Sequence, residues 1–333
     1  MDENRHIGET KELIDIQAVD RLPRGVICDG GFKLTGTPLA FVGARNPGLL
    51  FCAHLDQAVP LNAPRLIGTG LVMAALRSGR RHVDTLAVDY DRPFRLGRMD
   101  LRLLPAGWGP GSAMLEIRVQ GRTIVFCGGL RVSQPLSGEP SVNVHCDLLL
   151  LDAVSRPERT MAPRTVKKQF VRWVMEQQSA IAVAVVCDCR TALYDVVSIL
   201  SELPVPVHAH RSAYEMLRDT GALVSGSGAI LRQESLWPAS GVVLFLRHAF
   251  QVSRFRTRAD VRVCRAGAVG DDSDQFAFCA PESAREYVAF ARRTGASAIM
   301  LGPGCSPDMV EAFARSSLPV HRCHQPVQLP LGL

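Results

Sequence analysis

The chain has 333 residues, 47% of them hydrophobic and 21% charged, with a formal charge of +6. That length suits two domains or one elaborate α/β domain, and the composition supplies a large core and excludes wholesale disorder. The longest apolar runs, Ala180–Cys187 and Gly241–Leu246, fall well short of the ~18 residues of a spanning helix, and Met1–Asp15 is polar, so a cytoplasmic protein with no membrane partner is expected.

In chain order, strand-like apolar runs separated by turn residues are expected at Gly25–Cys28, Leu39–Gly43, Leu49–Cys52, Asp100–Leu104, Ala113–Val119, Thr123–Cys127 and Asp147–Leu151. One helix, Gly68–Arg80, interrupts them, and Gln120-Gly121-Arg122 reads as a hairpin turn. The second half alternates. Helices are expected at Val166–Gln178, Ala192–Leu200, Tyr214–Thr220, Ala284–Thr294 and Pro307–Ser316. Strands are expected at Ile181–Val186, Val205–His208, Val242–Leu246, Phe276–Cys279, Ala298–Leu301 and Pro319–Arg322. Such alternation implies a parallel α/β layer, and His324–Leu333 reads as an extended tail.

The positive charge is almost all arginine, since Lys11, Lys33, Lys167 and Lys168 are the only lysines. Guanidinium forks suit phosphate, but a solvated arginine surface explains the same composition. The ten cysteines are scattered without a Cys-x-x-Cys pair, which reads as mostly buried thiols in a reducing compartment.

Three segments carry a resemblance. They are Leu50-Phe51-Cys52-Ala53-His54-Leu55-Asp56-Gln57, Leu104-Pro105-Ala106-Gly107-Trp108-Gly109-Pro110-Gly111-Ser112-Ala113 and Val125-Phe126-Cys127-Gly128-Gly129. In order and spacing they resemble the metallo-β-lactamase superfamily, in its nucleic-acid-processing β-CASP branch. The opening Pro23-Arg24-Gly25-Val26-Ile27-Cys28-Asp29-Gly30-Gly31-Phe32 and the step Pro206-Val207-His208-Ala209-His210 are similar to the bacterial DNA-ligase-associated exonuclease-like proteins of that branch, also described as mRNA 3′-end processing factor-like.

The resemblance implies two metals held about 3.5–4 Å apart, which clamp phosphate and activate water. It also locates the ligands, and most are missing. The family's first His-x-His-x-Asp-His stands here as Cys52, His54, Asp56 and Gln57; the ligand His of the second segment is Trp108; the bridging Asp of the third is Gly129. Later, Cys279-Ala280-Pro281-Glu282-Ser283 and Gly302-Pro303-Gly304 put Pro281 and Pro303 where histidines are expected. A catalytically degenerate hydrolase follows, with no catalytic residue and no cofactor. The scaffold residues Gly107, Gly111, Ser112 and Ala113 persist.

Rival sites stand beside ordinary structural readings. Cys52, His54 and Asp56 could hold one residual soft metal, against a buried thiol next to a hydrogen-bonded pair. His321-x-Cys323-His324 alternates along a strand and lacks partner spacing. Asp188, between Cys187 and Cys189, stands where the branch places an acidic residue near its cleft, or is simply a strand-end loop. Of His208 and His210, only one can face a cleft, and the resemblance favours His210. In Arg247–Arg265, alternating Arg254, Arg256 and Arg258 would share one face opposite Phe255, as a phosphate track with a stacking ring or as a solvated edge strand.

The tail Gln328-Leu329-Pro330-Leu331-Gly332-Leu333 resembles the short peptide by which bacterial replication and repair proteins dock on the DNA polymerase sliding clamp. Gln328 would enter a polar notch and Leu329, Leu331 and Leu333 an apolar groove; the other reading packs the tail on its own domain.

The expected architecture is a metallo-β-lactamase-type αββα sandwich from residues 1–165 and 261–323, a β-CASP-type α/β insert over 166–260, and a tail over 324–333. The expected function is a degenerate accessory or binding factor in DNA repair or replication, with nucleic acid, the sliding clamp and repair proteins as partners. The alternatives are a divergent metal-dependent exonuclease with a rebuilt site and a pseudo-enzyme scaffold for a protein partner.

Overall fold

The computed structural model describes residues 25–28, 30–45, 47–60, 63–77, 83–155, 161–177, 182–225, 228–232, 237–253, 261–267, 274–322 and 328–330. The protein is a mixed α/β structure whose chain builds three large sheets in turn. The first sheet contains β1 (Gly25–Cys28), β2 (Phe32–Leu34), β3 (Leu39–Ala40), β4 (Leu49–Phe51), β5 (Arg65–Gly68) and β6 (Asp84–Ala87). Helix α1 (Gly70–Arg77) lies between the last two strands. β1 to β3 pair antiparallel, and β3 to β6 run parallel. Strands β2, β5 and β6 were not expected from sequence, because runs of three or four residues with Lys, Arg or Asp among them show too little alternation.

The second sheet begins with β7 (Phe94–Leu96), β8 (Met99–Pro105), β9 (Ala113–Val119) and β10 (Arg122–Cys127), all antiparallel. The expected hairpin is present: Gln120 and Gly121 both have positive φ, at 49° and 73°, as a two-residue turn between right-twisted strands requires. β11 (Leu148–Leu151) then joins β10 in parallel, and its four leucines are all buried.

Helix α2 (Pro163–Gln177) leads into the third sheet. Its strands are β12 (Val183–Cys187), β13 (Val207–Ala209), β16 (Leu231–Arg232), β17 (Val242–Leu246), β18 (Arg262–Ala266) and β19 (Gln275–Phe276). A two-stranded hairpin, β14 (Val224–Ser225) with β15 (Gly228–Ala229), stands apart from it. Helices α3 (Arg190–Leu200), α4 (Arg211–Asp219) and α5 (Arg247–Gln251) connect the strands. The spatial order is β16-β13-β17-β12-β18-β19, parallel throughout. Both faces of β12 and β17 are buried, which accounts for their continuous apolar runs. This sheet extends to Phe276, so it passes the expected insert boundary at 260.

The chain then returns to the second sheet. Helix α6 (Ala284–Thr294) opens with a capping box between Ser283 and Glu286 and closes at Gly295 in the left-handed conformation. β20 (Ala298–Leu301), helix α7 (Pro307–Ala314) and β21 (Val320–Arg322) follow, and both strands add in parallel beyond β11. Phe276–Cys279 was expected as one strand, but pairing stops at Phe276. Finally β22 (Gln328–Pro330) pairs antiparallel with β1, so this part of the tail is an edge strand of the first sheet.

The first two sheets face each other. One apolar cluster joins Val26, Phe32, Phe41 and Phe51 of the first to Leu103, Leu115, Phe126 and Leu150 of the second. Outside it, α6 and α7 cover the second sheet through Tyr287, Phe290, Met309 and Phe313. On the other side, Leu50, Cys52 and Leu66 meet α1 and then Phe170, Val185, Leu193 and Leu244 of the third unit in a single continuous core. No helix among the described residues is long and apolar enough to cross a membrane.

Phe126 centres the inter-sheet core, stacked on Phe41 at 4.3 Å and edge-on to Phe32 and Phe51. Phe126→Ala is expected to lower stability by about 3–5 kcal/mol in chemical denaturation. A loss within a few tenths of Phe126→Leu would contradict this packing.

Candidate functional site at the sandwich–insert junction

The loop after β4 carries four of the positions singled out in the sequence, Cys52, His54, Asp56 and Gln57; His54 packs against Trp108 and the other three are hydrogen-bonded within the fold. Cys52 is fully buried, with its thiol directed at the Leu50 carbonyl 3.9 Å away. Gln57 is buried and closes the loop on itself: Oε1 accepts from the Ala53 amide at 2.6 Å, and Nε2 donates to the Phe51 carbonyl at 2.9 Å. A glutamine can bond at both ends in this way, because its amide carries an acceptor and a donor.

Asp56 points outward from the same loop to the start of α3. Its carboxylate accepts from the backbone of Arg190 at 2.7 Å and of Thr191 at 3.3 Å, while the Arg190 guanidinium donates to the Leu55 carbonyl at 2.8 Å. Cys189, the residue before this helix, makes no side-chain cap bond. Asp56 therefore supplies the cap from 134 positions away in sequence, placing a negative charge at the positive helix end.

Trp108 fills the space between these groups and β10. A Cβ on Gly129 would lie 3.2 Å from the indole and 3.4 Å from the His54 ring. His54 and Trp108 pack with ring centroids 5.9 Å apart, and the Arg131 guanidinium lies 6.0 Å over the indole. Arg131 is 1% exposed and donates to the Phe278 carbonyl at 2.7 Å, tying β10's exit to the segment before α6. Opposite it, Asp195 of α3 is 0% exposed and accepts from the Ser137 hydroxyl.

Sequence reasoning missed Arg131, Ser137 and Asp195. Asp195 had a signal, as the one carboxylate within the apolar run Ala192–Leu200. Arg131 and Ser137 had none, because they come from a long irregular segment. Among the described residues, six buried side-chain polar atoms lack a hydrogen-bond partner, and five belong to this junction: His54 Nδ1, Trp108 Nε1, Arg131 Nη1, Thr191 Oγ1 and Asp195 Oδ2. Such atoms in folded proteins are met by ordered water.

Burial pushes the Asp195 carboxyl up to about 7, against the pull of Arg131 and the Ser137 hydrogen bond. Burial also lowers His54, outweighing the nearby Asp56 charge, and so favours the neutral ring. On the far side of β10, Asp152 is raised to about 6 by burial and accepts from the Gly304 amide at 2.7 Å. Any Cβ at Gly302 or Gly304 would come within 2.6 Å of that carboxylate, which explains the small residues flanking exposed Pro303. Pro281 is half-buried beside Glu282, whose carboxylate accepts from the Ser133 amide and hydroxyl, both at 2.8 Å.

These side chains do not fit a two-metal centre. The two oxygens of Asp56 are held by α3, Gln57 is consumed by its own loop, and Trp108 covers Gly129. Among the described residues, no three His, Cys, Asp or Glu side chains form a group able to hold a metal ion.

Beside the junction lies a cavity of about 620 Å³ at the carboxyl ends of β12 and β17. Asp56, Asp188, Cys189, Arg190, Arg247 and His248 contribute to its wall. Asp188 does not stand free there, since Arg265 grips it through contacts of 2.9 and 3.1 Å. His210 stacks on Phe245 with its Nδ1 3.4 Å from the Ser212 hydroxyl, and His208 is its half-buried neighbour on β13. His321 is exposed on β21. Arg254, Phe255, Arg256 and Arg258, together with Cys323, His324, Leu331 and Leu333, lie outside the described residues. Gln328 and Leu329 lie in β22, away from the junction.

No family model and no curated protein matches the chain. Among solved structures it is similar to a protein of unknown function from Enterococcus faecalis V583, with a TM-score of 0.62 at 11% identity, covering 92% of this chain and 99% of that one. At that identity the likeness concerns the fold alone.

Asp195 and His54 bias stability in opposite directions with pH. A carboxyl raised from 3.8 to about 7 binds its proton more tightly when folded, so its contribution falls as pH rises through that window. A lowered histidine contributes stability above its ordinary 6.5 and loses it as pH falls below. Asp195→Asn is expected to remove the decline toward pH 7, leaving a profile that rises with pH; thermal melts across pH would show an unchanged slope if Asp195 titrates normally. Asp56→Ala leaves two helix amides without their partner, at a cost of about 1–3 kcal/mol in denaturant unfolding.

Proposed function

We propose that this chain is a catalytically degenerate relative of the metallo-β-lactamase/β-CASP nucleases, resembling the DNA-ligase-associated exonuclease-like group, and that it acts as a nucleic-acid-binding accessory factor in DNA repair or replication. The observation that carries the reading is the use of Asp56. At a position the resemblance assigns to a metal ligand, the carboxylate instead caps α3 and joins the insert to the sandwich. Gln57 and Trp108 occupy neighbouring ligand positions with groups bonded or packed within the fold. A sandwich of two facing seven-stranded sheets with a parallel α/β unit between its halves is in keeping with this ancestry.

Binding in place of cleavage is supported by the cavity at the carboxyl ends of β12 and β17, the usual position of ligands on an open parallel sheet. Arg190, Arg247 and His248 stand there, and Arg247 is 54% exposed, with a 3.9 Å contact to Asp188. Arg254, Arg256 and Arg258 follow it in sequence as further candidates for phosphate contact. Clamp docking through Gln328, Leu329, Leu331 and Leu333 is part of the proposal, and it requires β22 to leave its pairing with β1.

The purified chain is expected to carry no stoichiometric zinc or manganese by metal analysis, and to leave a 5′-labelled single strand intact with either ion added. Two tightly held ions per chain, or cleavage abolished by His54→Ala, would overturn the degenerate reading in favour of an exonuclease with a rebuilt site. Fluorescence anisotropy with labelled single-stranded DNA should show salt-sensitive binding, with Arg247→Ala reducing the salt slope by about 1 if it contacts a phosphate. Absence of binding at low ionic strength would leave a scaffold for a protein partner. Removal of the last six residues should abolish capture by an immobilised sliding clamp.

A further inference from the structure

We propose that Cys189 and Cys279 form a redox-active dithiol, oxidised by a hydroperoxide to a disulfide that fastens the insert to the segment leading back into the sandwich. Their sulfurs are 3.4 Å apart, within thiol–thiol hydrogen-bond distance. Cys189 stands between β12 and α3, while Cys279 lies between β19 and α6, ninety positions later in the chain. The inference goes beyond the proposed function and stands on the sulfur geometry whether or not the chain binds nucleic acid.

Two further observations single out this pair. Cys28, Cys52, Cys127, Cys146, Cys187 and Cys264 are all buried, whereas Cys189 and Cys279 are only partly so. Cys305 is also partly buried, but its thiol donates to the Leu151 carbonyl at 3.2 Å. Cys189 also lines the 620 Å³ cavity, which gives a small oxidant a route to its sulfur. The sulfurs must approach from 3.4 Å to the ~2.05 Å of a disulfide.

The chemistry assigns different roles to the two thiols. The hydrogen bond with Cys189, and then burial, hold the Cys279 thiol well above the usual thiol range, which suits Cys279 to the resolving role. The Cys189 thiolate attacks the terminal oxygen of the hydroperoxide. The O–O bond breaks, leaving a sulfenic acid on Cys189 and releasing water or an alcohol. The Cys279 sulfur then attacks the Cys189 sulfur, the S–O bond breaks, and the departing hydroxide takes the Cys279 proton as water. Two thiols are oxidised by two electrons, and one hydroperoxide is reduced. The resulting bond spans the same junction as the Asp56 cap, so α3 should open less often once it has formed.

The test uses the full chain, treated with hydrogen peroxide, alkylated and digested with trypsin. The expected product is two hydrogens lighter than the reduced chain. It joins peptides 173–190 and 266–285 through Cys189, is reversed by a thiol reductant, and is absent from Cys189→Ser and Cys279→Ser. Fragmentation must place the link at Cys189 instead of Cys187, which shares its peptide. Hydrogen exchange of the α3 amides should slow several-fold in the oxidised wild type and stay unchanged in Cys279→Ser under the same treatment. Stable sulfinic or sulfonic acids without a cross-link, a link through Cys187, or thiols that remain unoxidised until the chain is unfolded would each overturn the proposal.

Discussion

The carboxylate of Asp56 on the first amides of α3 is the bond on which the junction depends. A helix N-terminus buried against another unit leaves several N–H groups to satisfy, and here the residue before the helix, Cys189, supplies no cap. Asp56 provides it from the other unit, and Arg190 returns a hydrogen bond to the Leu55 carbonyl. The two contacts fix both the position of α3 and its rotation. That in turn sets where Asp195 enters the core, where Cys189 meets Cys279, and where the cavity at the ends of β12 and β17 opens.

The same bond addresses a problem of charge. Asp56 lies close enough to Asp195 to raise that group's proton affinity, and a buried carboxylate needs compensation. The compensating groups are all built into the chain: the positive end of α3 for Asp56, the Arg131 guanidinium for Asp195, and protonation of Asp195 itself near neutrality. On the proposed ancestry these groups take over the role of divalent cations. Trp108 completes the exchange sterically, because its indole occupies the room in front of Gly129 that an aspartate side chain would need.

How far the sequence revealed this structure depended on how local the determining physics was. Helix α6 was read with its observed limits because it carries its own start and stop, a Ser283–Glu286 capping box and a terminal Gly295. The doubly buried strands β12 and β17 were likewise visible as continuous apolar runs. Strands β2, β5 and β6 were not, since their pairing comes from neighbouring strands and their own composition is mixed. At the site, the positions Cys52, His54, Asp56, Gln57, Trp108 and Gly129 could be identified in one dimension, but their partners could not. Asp56 meets Arg190 across 134 residues, Arg131 meets Phe278 across 147, and Cys189 meets Cys279 across 90, and no local pattern encodes such meetings.

The five unpartnered polar atoms at the junction bear on where a ligand can bind. Each of these atoms is itself buried, in side chains that are buried (Arg131, Thr191, Asp195) or half-buried (His54, Trp108), so hydrating them satisfies the fold without creating a route for a polymer. The open space lies beside the junction, at the carboxyl ends of β12 and β17, where Arg247 is exposed and Asp188 is already neutralised by Arg265. Recognition at this surface would therefore use Arg247 on the rim of the insert, whereas Arg190, which also lines the cavity, belongs with the residues that hold insert and sandwich together. Substitutions in the two groups should then separate cleanly: those on the rim alter binding with stability unchanged, while those in the junction alter stability first and binding only through it.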